Sequence, residues 1–436
     1  MKRILILVLV PALLILSACQ REYVNPNAAT GEQVLASTDG LLGMIVGLRR
    51  EYSLGATGAL YNLISANGLS TKELYVINTG NGELAALEAG KQTLGGANSI
   101  ISNIWTSCNL VKTNAQLVID NAANATDPAT SAGINAYAHF YKALALGTMA
   151  QFWEQAPAEV LSAQDFLDGK RAGFSTRQEV LEEAVGLLTA AAAVVDATAP
   201  SAYFTSKVGA DLDIKNAIQA LLARYSLMLG NYDAALAAAA KVDLSKKSVF
   251  KFEAANPNPV YRTALVTNNT YNGLNNFGLS GELAPDSADA RIPFYLGANP
   301  ATGVRVLGFF TADDASIPVY LPGEILLIQA EAYARKNELA NAIAKLDAVR
   351  TKSSDIFNVT AKLPAYSGAQ TAEAVLAEIY RNRCIELYMS GMKLEDSRRF
   401  ARPGPNDAGA ERSRNFYPYP IAERDNNPNT PADPAI

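Results

Sequence analysis

The stretch Leu222-Ala223-Arg224-Tyr225-Ser226-Leu227-Met228-Leu229-Gly230-Asn231-Tyr232 decides the fold. It sets a small residue, then a turn residue seven positions on, then an apolar residue two beyond, with Ala235 after that. Slid along the chain without a gap, Ala223 falls on Ala330, Gly230 on Asn337, Tyr232 on Leu339, Ala235 on Ala342 and Val242 on Val349. Small residues at matched places let two helices touch, and the residue between them turns the chain back. One copy could be any helical hairpin. Two copies in one register predict a repeat.

The unit resembles a tetratricopeptide repeat, a helix–turn–helix of about 34 residues. Working outward, Ile100, Ile101, Ile104, Cys108, Val111, Ala115 and Val118 recur at three- and four-residue steps, the spacing of one helix face. Helical patterns also run over Leu41–Leu48, Ala136–Trp153 and Val180–Val195. The expectation is a mainly α protein with repeat-like units near 100–157, 180–245 and 323–351, and a C-terminal helix and tail over 371–436. Residues 249–322 have another character. They hold Asn256, Asn258, Asn268, Asn269, Asn272, Asn275 and Asn276, with Pro257, Pro259, Pro285, Pro293, Pro300 and Pro318 scattered among them. Helix is not expected to persist across such prolines. Aromatic residues from Tyr261 to Phe310 argue against disorder, so this loop-rich insertion is expected to display something.

The amino terminus sets the compartment. Lys2 and Arg3 precede an apolar run from Ile4 to Leu16, shorter than the roughly 20 residues of a membrane span. Residues 1–18 therefore read as a signal peptide. Leu16-Ser17-Ala18-Cys19 resembles a bacterial lipobox, which implies cleavage before Cys19 and acylation (diacylglycerol, palmitate) of that residue as lipid anchor. A flexible tether over 19–38 would follow, and then one domain over 39–436. Loss of Lys2 and Arg3 lowers the basic count from 37 to 35 against 42 acidic residues, moving the net charge from −5 to −7. Such a surface argues against nucleic acid or anionic lipid as partner, leaving membrane contact to the anchor. An oxidising compartment permits a bridge between Cys108 and Cys384, though buried free thiols are the favoured state.

Several motifs in order resemble the SusD/RagB family of outer-membrane nutrient-binding lipoproteins. They are the lipobox; Trp105 with Asn114-Ala115; Ala136, Phe140, Tyr141 and Leu144 running into Phe152-Trp153-Glu154-Gln155-Ala156-Pro157; and Ala220–Arg224 with Gly230-Asn231-Tyr232. Further along come Asp289-Ala290-Arg291, Ala330-Glu331-Ala332, Asp347–Arg350, and Glu386-Leu387 with Gly391, Asp396 and Arg398-Arg399-Phe400. The ending Tyr417-Pro418-Tyr419-Pro420-Ile421 and Asn427-Pro428-Asn429 completes the set. Trp153 stands where the family has Gly, Phe400 where Trp is usual, and an extra Tyr interrupts the final Pro-Ile-Pro. The resemblance implies four tetratricopeptide-like helix pairs with a loop-rich second subdomain folded on them. It also implies an outer-membrane position facing the exterior, as a lid on a SusC-like TonB-dependent transporter that receives glycan or peptide oligomers.

Catalysis finds little support. One histidine, His139, cannot form a His-based zinc cluster, and no G-x-S-x-G nucleophile motif occurs. Asp313-Asp314 lacks the spacing of a calcium loop. No cofactor or metal is expected. Neutral sugars are held by stacking on rings and by planar amides that bond hydroxyls. Two stretches supply both chemistries: Asn67 through Tyr75 to Asn78, and Asn268 to Arg291 with Tyr271, Asn272, Asn275, Asn276 and Arg291. Asn and Gly also simply build turns. Glycan is favoured over peptide as ligand. A repeat scaffold for envelope assembly that binds only proteins is the alternative, and a surface hydrolase the least supported.

Overall fold

A computed structural model of the chain describes residues 29–436 apart from 268–269 and 300–302. The signal-like run, Cys19, most of the tether, and Asn268 and Asn269 lie outside the described residues. The expected flexible stem is already helical over Gly31–Leu35, because Thr30 and Gln33 close a reciprocal capping box on its first turn.

Helices α1 (Thr38–Ser53) and α2 (Ala59–Ser70) lead into the longest pair, α3 (Ser99–Asn121) and α4 (Pro128–Phe152). Asp127 caps α4 by accepting from the Thr130 amide at 2.9 Å, with Pro128 at the first position, where a missing N–H costs nothing. Apolar nearly all round, α4 runs through the core with α3 on one side and α5 (Arg177–Ala197) on another. Then come α6 (Ile214–Met228) and α7 (Tyr232–Ala239) and, beyond the insertion, α8 (Pro322–Arg335), α9 (Leu339–Arg350), α10 (Ala372–Glu386) and α11 (Lys393–Arg399).

The α6–α7 and α8–α9 hairpins agree bond for bond. Gly230 and Asn337 both take positive φ, +76° and +61°. The next amide reaches back five residues in each: Asn231 N to Ser226 O, and Glu338 N to Tyr333 O, both 2.9 Å. Gly230 N bonds Leu227 O at 3.0 Å, and Asn337 N bonds Ala334 O at 2.9 Å. This is the Schellman end of a helix, and it requires the left-handed conformation that Gly and Asn tolerate best. Ala223 and Ala330 are both fully buried at the helix contacts.

The insertion is held by short strands and several turns. Strand β1 (Leu74–Val76), which follows α2, pairs antiparallel with β2 (Tyr271–Gly273). Within the insertion β3 (Leu296–Asn299) pairs with β4 (Gly303–Val306). A short, wide-turned helical segment forms here over Val260–Thr267, a span that holds no proline. Pro257 and Pro259 precede it and so remove no bond from it, while Asn258 Oδ1 accepts from the amides of Val260 and Tyr261, each at 3.1 Å. Asn258 Nδ2 also donates to the carbonyls of Phe309 and Ala315. One apolar core runs from the helices into the insertion through Tyr271, Phe277, Tyr295 and Phe310. Arg224 of α6 grips Glu324 of α8 with two bonds of 2.6 and 2.8 Å and also donates to Val319 O, all out of water.

Candidate functional site

Antiparallel pairing of β1 with β2 joins the two stretches singled out in the sequence. Leu74 faces Gly273, Tyr75 faces Asn272, and Val76 faces Tyr271. The ladder continues on both sides. Ile77 N bonds Thr270 O at 2.9 Å, and Leu274 N bonds Glu73 O at 2.9 Å. An antiparallel ladder puts Asn78 at one end, beside Thr270, and Asn275 and Asn276 at the other, beside Glu73. At about 3.3 Å per residue those ends stand roughly 20 Å apart, a span suited to an extended oligomer rather than one small pocket.

The named residues divide sharply. Asn78 and Asn275 are exposed, while Asn276 and Tyr75 are half-buried. Asn78 Oδ1 accepts from Gly80 N at 3.1 Å and Asn276 Oδ1 from Gly278 N at 3.0 Å, leaving their amide groups at the surface side of tight turns. The other four are interior. Asn67 is fully buried and donates to Gly391 O at 2.7 Å. Tyr271 is fully buried with its hydroxyl 3.0 Å from Ser65 Oγ, and burial pushes its phenol well above the ordinary range. Asn272 is buried and donates to Val304 O, tying β2 to β4. Arg291 is sealed between Asp289, Asn382 and Glu386, at 2.7, 2.8 and 3.0 Å. Burial works against its charge, but Asp289 and Glu386 outweigh that and hold its pKa above the usual arginine value. The expectation that Asn67, Tyr271, Asn272 and Arg291 contact ligand is therefore corrected: all four are buried, and their bonds run to Gly391, Ser65, Val304 and the Asp289–Asn382–Glu386 group inside the protein.

Beneath the ladder lies a buried carboxyl. Glu73 is 1% exposed; Oε1 accepts a long bond of 3.4 Å from Met389 N, and Oε2 has no partner. Burial raises its pKa to about 7 against the opposing charge of Lys393. His139 lies on α4 with Nδ1 2.9 Å from Asn135 O, and burial lowers its pKa. Cys108 and Cys384 are free, buried thiols. Among the described residues no cluster of three or more His, Cys, Asp and Glu could hold a metal ion, and no helix is long and apolar enough to cross a membrane.

Both tryptophans are structural. Trp105 Nε1 donates to Glu423 and Trp153 Nε1 to Pro418 O, each at 3.1 Å, and Tyr417 stacks on Phe152 at 5.2 Å. The Tyr-Pro-Tyr-Pro ending is thus a clasp on α3 and α4. One concavity escaped the sequence reading: a groove of about 600 Å³ across α1, lined by Gly47, Arg50, Glu51, Thr57, Asn256 and Arg262 among others. Arg50 reaches over it to Asn256 Oδ1 at 3.1 Å. The signal was Gly47, inside a helix, where glycine is costly unless space is needed.

Comparison with known proteins fits this architecture. A family model described as the SusD family matches residues 311–433. A SusD-like carbohydrate binding protein from Bacteroides fragilis superposes with a TM-score of 0.70 at 14% identity, over 91% of this chain and 99% of that one. A SusD-like carbohydrate binding protein from Bacteroides vulgatus gives 0.67 at 17% identity over 84% of each. A SusD superfamily protein from Bacteroides thetaiotaomicron gives 0.68 at 16% identity, over 91% of this chain and 100% of that one. At such identities the superpositions speak for the fold. No curated protein matches the chain in sequence. Residues 311–433 thus match the SusD family in sequence, and the chain as a whole shares its fold with SusD-like structures.

Proposed function

We propose that the chain is a SusD/RagB member that holds a soluble oligomer, glycan in preference to peptide, along the β1–β2 ladder and releases it unaltered to a TonB-dependent outer-membrane transporter. The observation that carries the reading is the ladder itself. It joins two distant parts of the chain, with exposed Asn78 beyond one end, exposed Asn275 beyond the other and half-buried Tyr75 in the ladder between them. Amides and a tyrosine ring suit sugar hydroxyls and C–H faces. The superposed relatives described as carbohydrate binding support the ligand class. Anchoring through an acylated Cys19 at the outer surface completes the proposal, and the lone, helix-packed His139 supports binding without turnover. An open edge has few enclosing walls, so affinity should be modest, on the order of micromolar to millimolar.

Calorimetry of soluble glycan and peptide pools against the purified protein, with product analysis, tests this. Binding of a glycan that weakens in Asn78→Ala/Asn275→Ala and yields no product supports it; turnover, or binding indifferent to both changes, overturns it. A second reading, an envelope scaffold that binds only proteins, is favoured by the groove across α1. Charges of both signs line it, and none of its lining residues is aromatic. Loss of a protein partner on Arg50→Glu, with no glycan bound by the native protein, would select that reading.

A further inference from the structure

We propose that Glu73 and Lys393 act as a positioning pair that holds the Asn275–Asn276 turn in a proton-dependent way, an inference that rests on the ligand face proposed above. The turn is fastened at two points. Leu274 N bonds the carbonyl of Glu73 at 2.9 Å, and Lys393 Nζ donates to the carbonyl of Phe277. Between them Phe277 takes a φ of +57°, a left-handed conformation that a bulky residue keeps only when its surroundings insist. Its ring is wedged at 4.9 Å against Tyr388, whose hydroxyl also reaches Glu73 O at 3.3 Å. Both side chains of the pair are out of water, Glu73 at 1% and Lys393 at 2% exposure.

The carboxyl is poised to compete for the ammonium. Oε2 of Glu73 has no hydrogen-bond partner, while Lys393 supplies the opposite charge that acts on it. The other titratable groups facing Glu73 are Asp396 on α11, Cys384 on α10, Tyr388 beyond that helix, and Tyr295. Asp396 is occupied by Arg383 and Arg399, and burial keeps the thiol and both phenols protonated. Glu73 is thus the group among them that changes charge near neutrality. Protonated, it leaves Lys393 on the Phe277 carbonyl and the turn fastened. Ionised, it presents a full charge on an unsatisfied oxygen, draws the ammonium toward itself and frees the turn.

Hydrogen exchange of the full-length protein without ligand provides the test, corrected for intrinsic rates and referred to residues 214–228 as internal standard. Protection of 274–278 should fall on the order of tenfold between about pH 5.5 and about pH 8.5. Glu73→Gln should keep the low-pH level throughout, and Lys393→Met should lose protection at every pH. A flat native profile, or a Glu73→Gln profile identical to it, overturns the proposal; should that variant fail to fold, the native profile alone decides. The same pH series by calorimetry with a bound glycan should show affinity falling alongside protection. Affinity that ignores the change in protection overturns the positioning role while leaving the ligand reading intact. If no oligomer binds at all, the ligand reading fails, and the exchange series still decides the pair.

Discussion

Ala223 and Ala330 stand far apart in the chain and do the same work; Asn67 and Asn78 stand eleven residues apart and do opposite work. The contrast divides the molecule. In the helical hairpins a residue's task is set by its place in a local period, so equal spacing gives equal structure. In and around the insertion a residue's task is set by which distant segment arrives beside it. Asn67 meets Gly391 and Arg291 meets Glu386, whereas Asn78 ends its strand in water.

The contrast can be broken most severely at Arg291. If it is a buried strut, Arg291→Ala strands Asp289 and Glu386 without their partner and should cost about 3–5 kcal/mol, read as a shifted urea midpoint. Stability unchanged by that substitution would return Arg291 to the ligand surface. Next in size comes Glu73. Its folded pKa of about 7 lies above the value of 4.5 expected unfolded, so its contribution is fully present below the lower value and is lost as pH rises through the upper. Glu73→Gln should therefore match the native protein near the acid end and exceed it above neutrality, by on the order of 2–3 kcal/mol. A stability gap that fails to widen with pH contradicts this. Ala223→Leu and Ala330→Leu should each cost roughly 1–3 kcal/mol by overpacking their helix contacts, and by similar amounts if the two sites are equivalent. Smallest is Asn275→Ala, expected to leave stability within about 0.5 kcal/mol while weakening glycan binding.

The same division explains what the sequence made legible. The hairpins could be read because cap chemistry is local: only Gly or Asn sits easily at a left-handed helix end, and both copies have one there. Pairing of β1 with β2 could not be read from three-residue strands, although the stretches around both stand out for their Asn and Tyr content. That content misled for half of the named site residues. Asparagine matches a backbone amide as well as it matches a sugar, and Asn258 shows the alternative use, with four main-chain bonds from one side chain. A partial signal was present for Arg291: Asp289, two residues before it, already supplied its counter-charge.

The ladder between Tyr75 and Asn272 also bears on how the molecule is made. Helical hairpins can close as soon as their own residues are available, since their contacts are short in sequence. The binding edge cannot. Strand β1 waits for a partner that follows it by nearly half the chain, and Asn67, just ahead of it, waits longer still, for Gly391. Until then an unpaired strand rich in apolar side chains is open to any neighbour with a free edge. Whatever escorts the nascent chain must shelter residues 67–78 for most of its journey, and a chain cut short before Gly391 would hold well-formed helices with the proposed ligand face left unfinished.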